Sequence, residues 1–111
     1  MPFTDAVSDV SIRYERMGNG PPLLLVSGTG HDLTFWAGTL PMLQDSYRCI
    51  VFDNRGVGES SIAEPGFSLS DMADDALGVL DALDCDRAHV MGFSMGGHIA
   101  QELALKHPDR I

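Results

Sequence analysis

Apolar positions along the chain recur at the spacings of strands and helices in alternation. Near the amino terminus, Val10, Ile12 and Tyr14 alternate with polar residues, which predicts a strand with one buried face. Later runs are apolar at nearly every position, which is typical of parallel strands covered on both faces: 23–26, 49–52 and 88–91. We therefore expect a sheet whose central strands are buried.

Apolar residues spaced by three and four predict the helices between these strands. The first covers about 33–43 and is shortened by Pro41. The second follows Ser68, which with Asp71 three residues later is typical of a helix cap. The last should pack on the sheet through Ile99, Ala100, Leu103 and Ala104. Strands alternating with helices predict an α/β fold with a mostly parallel sheet and right-handed crossovers.

A G-x-S-x-G motif at 92–96 lies between a predicted strand and a predicted helix. Such a turn holds the central serine in a strained conformation and exposes its Oγ at the carboxyl edge of the sheet. Glycines at Gly92 and Gly96 allow neighbouring backbone to approach closely. The helix start also directs free N–H groups toward an oxyanion forming beside Ser94. The motif thus favours a nucleophilic serine over a solvent-exposed serine at a glycine-rich helix start.

Two further segments follow the predicted strands at 23–26 and 49–52. The segment Ser27-Gly28-Thr29-Gly30 follows the first, and a glycine-rich loop at 53–60 follows the second. Gly28-Thr29-Gly30 with Asp53 also fits a dinucleotide-binding site, although Leu33 replaces the third glycine and the serine motif is then unexplained. We assign the 53–60 loop a structural role, with Arg55 bonding to carbonyl groups of the turn.

Taken in chain order, these three segments resemble motifs of the α/β-hydrolase superfamily: 27–30, 53–60 and 92–97. The nearest branch comprises small esterases, enol-lactone hydrolases and cofactor-free haloperoxidases. The resemblance covers nearly all of residues 1–111 and implies a single partial domain, the amino-terminal half of that fold without its carboxyl-terminal half. It implies an initial antiparallel pair, a mostly parallel sheet in the spatial order 1-2-4-3-5 with the strand at 88–93 outermost, and helices on both faces.

The resemblance also implies a function, namely acyl transfer to water from an ester, lactone or related carbonyl substrate. Ser94 would be the nucleophile, and the backbone N–H groups of Met95 and Thr29 would form the oxyanion hole. The glycines supporting these loops are Gly28, Gly92 and Gly96. No metal and no organic cofactor is implied. Ser27 stands where the family usually has histidine, and this is tolerated because the oxyanion donors belong to the main chain.

The family's acid and histidine follow the serine in the chain, and we expect both to lie outside these 111 residues. Among the substitutes available here, His31 could reach Ser94 as a general base. We interpret His98 as structural and His107 as a cation at a helix end. The remaining carboxylates on or after the last helix are Glu102 and Asp109. This chain should therefore be inactive or weakly active, and the alternative is a non-catalytic module that self-associates.

The charge and the cysteines limit which binding partners and which cellular compartment we expect for this chain. Sixteen acidic and seven basic residues give a net charge of −9, which disfavours nucleic acid and anionic membranes. No apolar run is long enough to span a bilayer, and the first residues do not resemble a secretory signal. Cys49 and Cys85 form no disulfide framework, which favours a cytoplasmic location. The strand at 88–93 would be an unprotected edge, so we expect a homodimer.

Overall fold

Four strands form one mixed sheet in the computed structural model, which describes residues 10–61 and 66–111. Their spatial order is β1-β3-β2-β4, with β1 antiparallel to β3 and the other neighbouring pairs parallel. The strands are Tyr14–Met17 (β1), Pro22–Val26 (β2), Arg48–Phe52 (β3) and His89–Gly92 (β4).

Helices connect the parallel strands and cover both faces of the sheet. The α-helices are Leu40–Leu43 (α1), Leu69–Ala82 (α2) and Met95–Lys106 (α3), and 3₁₀ helices span Leu33–Gly38 and Pro108–Arg110. Ser68 caps α2 as predicted, since its hydroxyl accepts from Asp71 N and the Asp71 carboxylate accepts from Ser68 N. No helix in the described residues is both long and apolar enough to cross a membrane.

The core has one cluster on each face of the sheet. Against one face pack α2 and α3, which bury Leu24, Ile50 and Phe52 with their own inner residues. Against the other face the 3₁₀ helix buries Trp36 beside Leu25. The predicted α/β architecture, with a mostly parallel sheet and helices on both faces, is confirmed. The predicted alternation of Val10, Ile12 and Tyr14 is also confirmed, since all three are buried.

The predicted five-strand order 1-2-4-3-5 differs from the sheet in one respect. Four strands are present between residues 10–61 and 66–111, and β1 pairs with β3 rather than with another early strand. Residues 1–9, where an additional first strand would begin, lie outside the described residues. The strand at 89–92 does lie at the edge of this sheet, as expected.

Three local predictions were wrong, each because neighbouring structure determines the outcome. The helix expected over 33–43 is a 3₁₀ helix and the short α1, with Pro41 in the first turn of α1, where proline is favoured. The run at 88–91 is not fully buried, because Ala88 and Val90 pack on the α2–α3 side while the opposite face of β4, with His89 and Met91, is exposed. Ala104 is exposed, since α3 faces the sheet through Gly96, Ile99 and Leu103.

Candidate active site

Ser94 lies at the sharp turn between β4 and α3. Its backbone has φ 57° and ψ −120°, a positive φ that non-glycine residues rarely adopt. The residue is exposed at the N-cap position of α3, yet its hydroxyl does not cap the helix. A strained and exposed serine at a helix start is the geometry that the G-x-S-x-G motif predicted.

The glycines on either side of Ser94 permit this turn. A Cβ on Gly92 would lie 2.3 Å from the Gly96 carbonyl oxygen, and a Cβ on Gly96 would lie 2.0 Å from the Val26 carbonyl oxygen. Neither contact is possible for a real side chain. At Gly97, by contrast, the nearest atom to an added Cβ is 3.8 Å away, an ordinary contact. The turn therefore requires glycine at two positions and tolerates a side chain at the third.

Two backbone N–H groups beside Ser94 have no acceptor among residues 10–61 and 66–111. In the first turn of α3, Gly96 N donates to Phe93 O and Gly97 N donates to Ser94 O, both at 2.9 Å, which leaves Met95 N free. Thr29 N is free as well. Its side chain reaches the same place, since Thr29 Oγ1 donates to Met95 Sδ at 3.4 Å. The two predicted oxyanion donors are therefore neighbours.

The loop that carries Thr29 packs directly on Ser94. A Cβ built on Gly28 would lie 3.2 Å from Ser94 Cβ and 3.1 Å from the Phe93 carbonyl oxygen. Within the loop, His31 N donates to Gly28 O at 3.2 Å, and the Ser27 hydroxyl donates to His31 O at 3.0 Å. The Ser27 side chain is therefore an internal brace of this loop.

The 53–60 loop, which follows β3, holds the Thr29 loop in place by hydrogen bonds. Asn54 Nδ2 donates to Ser27 O at 3.0 Å, and Leu33 N donates to Asp53 Oδ1 at 2.7 Å. The other Asp53 oxygen accepts from Glu59 N at 2.9 Å. Because Asp53 is fully buried and both its oxygens hold backbone N–H groups, it cannot bind a ribose. The dinucleotide-binding alternative is not supported.

Arg55 binds a carboxylate rather than the turn carbonyls that the sequence analysis assigned to it. Its Nε donates to Asp75 Oδ2 at 2.6 Å and its Nη2 donates to Asp75 Oδ1 at 2.8 Å, so the pair is bidentate and buried. These hydrogen bonds raise the pKa of Arg55. Burial raises the pKa of Asp75, and the Arg55 hydrogen bonds oppose that shift. The pair ties the 53–60 loop to α2.

Sequence reasoning missed Asp75, although a signal was available. Asp75 is an acid among the apolar positions of the inner face of α2, between Ala73 and Ala76. A buried acid there requires a cation, and the glycine-rich loop supplies one.

The histidines and carboxylates take different positions relative to Ser94. His31 lies near it, since a Cβ on Gly28 would be 3.2 Å from Ser94 Cβ and 3.7 Å from His31 Nδ1. The His31 ring stacks on Phe35 at 4.5 Å, and its buried Nδ1 has no hydrogen-bond partner within the described part of the chain. His98 is exposed on α3, and the half-buried Glu102 is on the same helix. His107 is the C-cap of α3, at the helix end where it was expected, and its Nε2 lies 3.7 Å from Asp74 Oδ1. Asp109 is exposed in the 3₁₀ helix that follows α3.

Comparison with known proteins gives the same class as the geometry. The family model described as alpha/beta hydrolase fold matches residues 21–111. A pimeloyl-[acyl-carrier protein] methyl ester esterase of Aeromonas hydrophila is 37% identical over 103 residues, which is 92% of this chain and 39% of that protein. A hydrolase structure from Pseudomonas aeruginosa PA01 superposes with a TM-score of 0.95 at 37% identity, covering 99% of this chain and 42% of that one. An enol-lactonase structure from Burkholderia xenovorans LB400 has a TM-score of 0.92 at 33% identity, covering 99% and 44%.

The fold and the strand-to-helix serine define an α/β-hydrolase type of protein. Because the family model covers most of the chain, the chain belongs to the α/β-hydrolase family. Relatives in this family are named as a hydrolase, a methyl ester esterase and an enol-lactonase, and this chain spans less than half the length of each.

Proposed function

We propose that residues 1–111 are the amino-terminal part of a catalytic domain that transfers an acyl group to water, with Ser94 as the nucleophile. The observation that carries this proposal is the Ser94 backbone, held at φ 57° and exposed between two obligatory glycines. Strain at an exposed serine costs free energy, and it is common where a side chain must meet a substrate. A cap residue would instead use its hydroxyl on the helix, which Ser94 does not do.

In this mechanism the Ser94 oxygen attacks the substrate carbonyl carbon and loses its proton to a general base. The carbonyl oxygen becomes an oxyanion that accepts hydrogen bonds from the N–H groups of Met95 and Thr29. The oxyanion then collapses, the C–O bond to the leaving group breaks, and the leaving group takes the proton. Attack by water on the acyl-enzyme repeats the sequence and frees Ser94. No metal or organic cofactor enters these steps.

The substrate class is an ester, a lactone or a related carbonyl compound. Two relatives support this choice by their names, a methyl ester esterase and an enol-lactonase. Both reactions need a nucleophile and oxyanion donors, which residues 92–97 and 27–30 would supply. The leaving group is an alcohol in the first reaction and an enol in the second.

We propose that the general base and its orienting acid come from outside these 111 residues. The relatives above are more than twice as long, which leaves room for both groups. We expect the chain alone to be inactive or weakly active, since an oxyanion hole without a triad retains a small part of the catalysis. The two free cysteines, Cys49 and Cys85, support a cytoplasmic location for the protein.

Labelling with a fluorophosphonate tests the role of Ser94. The chain is compared with a completed chain, in which 1–111 is fused to the residues that follow the matched segment in the Pseudomonas aeruginosa hydrolase. We expect rapid labelling of the completed chain, loss of labelling in Ser94→Ala, and no loss in Ser46→Ala, which removes an exposed serine in a turn. Labelling that survives Ser94→Ala would overturn the proposal.

We also propose that the 111-residue chain forms a homodimer through β4. In the described sheet β4 has a neighbour on one side only. Phe93 N donates to Val26 O, so in the alternating pattern of a strand the polar backbone groups of Val90 and Gly92 point away from β2. This edge carries no proline and no lysine to prevent pairing.

A further inference from the structure

A pocket opens directly beside the two candidate oxyanion donors. Its volume is about 440 Å³, within the range of small-molecule sites. Thr29 and Met95 line it at the Ser94 side, and the 53–60 loop, α2 and Phe67, which precedes α2, complete it. The side chains on these further walls are Val57, Phe67, Met72 and Arg55.

The walls of the pocket fit one of the two substituents on the carbonyl carbon of a substrate. A carbonyl oxygen held by Thr29 N and Met95 N has two substituents, the acyl chain and the leaving group. The leaving group needs a proton, and the one ionisable side chain in this lining is Arg55, which keeps its proton at neutral pH. The acyl chain needs no proton and gains from contact with apolar walls. The lining therefore suits the acyl chain.

The charges around the pocket select among acyl chains. The Arg55 guanidinium is already neutralised by its bidentate pair with Asp75, and the Phe67 ring lies over it at 5.5 Å. Asp71 and Asp74 on the same helix are within electrostatic range of Arg55, and Lys106 pairs with Asp74 at 2.8 Å. These three carboxylates, counting Asp75, therefore face two cations, which leaves one negative charge in excess. A carboxylate at the end of an acyl chain would therefore meet a surplus of negative charge, and its desolvation would not be compensated.

We propose that this pocket binds the acyl chain of the substrate and selects neutral, apolar chains over chains that end in a carboxylate. The inference rests on the proposed function for the position of the carbonyl.

Methionine methyl groups provide the test, because Met72 and Met95 line the pocket while Met42 is 80% exposed on α1. The 111-residue chain carrying Ser94→Ala is labelled with ¹³C at its methionine methyls and titrated with methyl hexanoate. We expect saturable shifts of the Met72 and Met95 signals and none of Met42. Monomethyl adipate, which ends in a carboxylate, should bind about tenfold more weakly.

Two comparisons test the orientation and the location. Pentyl acetate is an isomer of methyl hexanoate with the long chain on the leaving-group side, and we expect it to bind several-fold more weakly. Val57→Trp should fill the pocket and abolish the shifts, whereas Leu105→Trp, at a 78% exposed position on α3, should leave them intact.

Absent shifts, equal binding of the three esters, or full binding to Val57→Trp would each overturn the inference. These outcomes are separate from failure of the proposed function, since binding in Ser94→Ala needs no chemistry. If Ser94 reacts with the fluorophosphonate but the esters do not shift Met72, the pocket inference alone fails. If the esters bind as expected but Ser94 does not react, the proposed function alone fails.

Discussion

Gly96 lies so close to β2 that a Cβ on it would be 2.0 Å from the carbonyl oxygen of Val26. This contact brings the first turn of α3 onto the end of a neighbouring parallel strand. At this turn Met95 contacts the loop that follows Val26, since Thr29 Oγ1 donates to Met95 Sδ at 3.4 Å. The close approach of α3 and β2 thus determines where the two candidate oxyanion donors meet.

Gly96→Ala should therefore destabilise the fold, because either the helix or β2 must move. We expect a loss of about 2 kcal/mol or more in the free energy of unfolding, as for overpacked interior positions. The matched control is Gly97→Ala, where the nearest contact is 3.8 Å and the better helix propensity of alanine favours a gain of up to about 1 kcal/mol. Urea unfolding followed by Trp36 fluorescence measures both. Equal effects of the two substitutions would show that the close approach is not needed.

Removing Arg55 should destabilise the fold, because the buried carboxylate of Asp75 would then lack its cationic partner. We expect Arg55→Met to lower the free energy of unfolding by about 3–5 kcal/mol at neutral pH, as when one partner of a buried pair is lost. Burial already raises the pKa of Asp75, and without Arg55 the pKa rises further. The folded variant then binds the proton more readily than the unfolded chain, so its stability increases as the pH falls toward the ordinary pKa of aspartate.

Urea unfolding at pH 7 and at about pH 4.5 measures this dependence. The deficit of Arg55→Met relative to the unsubstituted chain should be smaller at the lower pH. The double variant Arg55→Met/Asp75→Leu, which removes both charges, should recover much of the loss at pH 7. A deficit that does not change with pH, together with no recovery in the double variant, would contradict the assigned role of the pair.

The edge of β4 predicts self-association of the 111-residue chain. Light scattering behind a sizing column should show a dimer at high micromolar concentration rather than the 12.0 kDa monomer. Val90→Pro removes a backbone N–H that points away from β2, so it should restore the monomer without loss of a hydrogen bond inside the sheet. If the unsubstituted chain is monomeric at this concentration, the proposed dimer is wrong.

The unsubstituted chain should hydrolyse an activated ester such as p-nitrophenyl acetate weakly. Oxyanion donors and binding alone retain on the order of 10³–10⁴-fold catalysis over water. Family-like turnover that Ser94→Ala abolishes would refute this expectation. Loss of that turnover in His31→Ala would identify His31 as the base, because His31 belongs to the loop that packs on Ser94 through Gly28.

Features encoded within one short segment could be predicted from the sequence. The cap of α2 depends on Ser68 and Asp71, three residues apart, and the turn at Ser94 depends on glycines two residues away on each side. In both cases the interacting groups are close together in the chain, so the local sequence pattern is enough to predict the backbone geometry.

Features that join distant segments could not be predicted in the same way. The partner of Arg55 is twenty residues further along the chain, and only the packing of α2 on the sheet brings Asp75 within reach. The exposure of Met91 likewise depends on which elements cover its face of β4, which its own apolar run does not specify. The pocket behind Thr29 arises from four separate segments and has no motif of its own.

The structure of a phosphonate adduct tests the central claim most directly. The completed chain is reacted with a fluorophosphonate, and the adduct is solved by crystallography. We expect phosphorus bonded to Ser94 Oγ, with the phosphonyl oxygen about 2.7–3.1 Å from both Met95 N and Thr29 N. Phosphorus on any other side chain, or a phosphonyl oxygen held by neither N–H group, would contradict the assignment of Ser94 and its oxyanion hole.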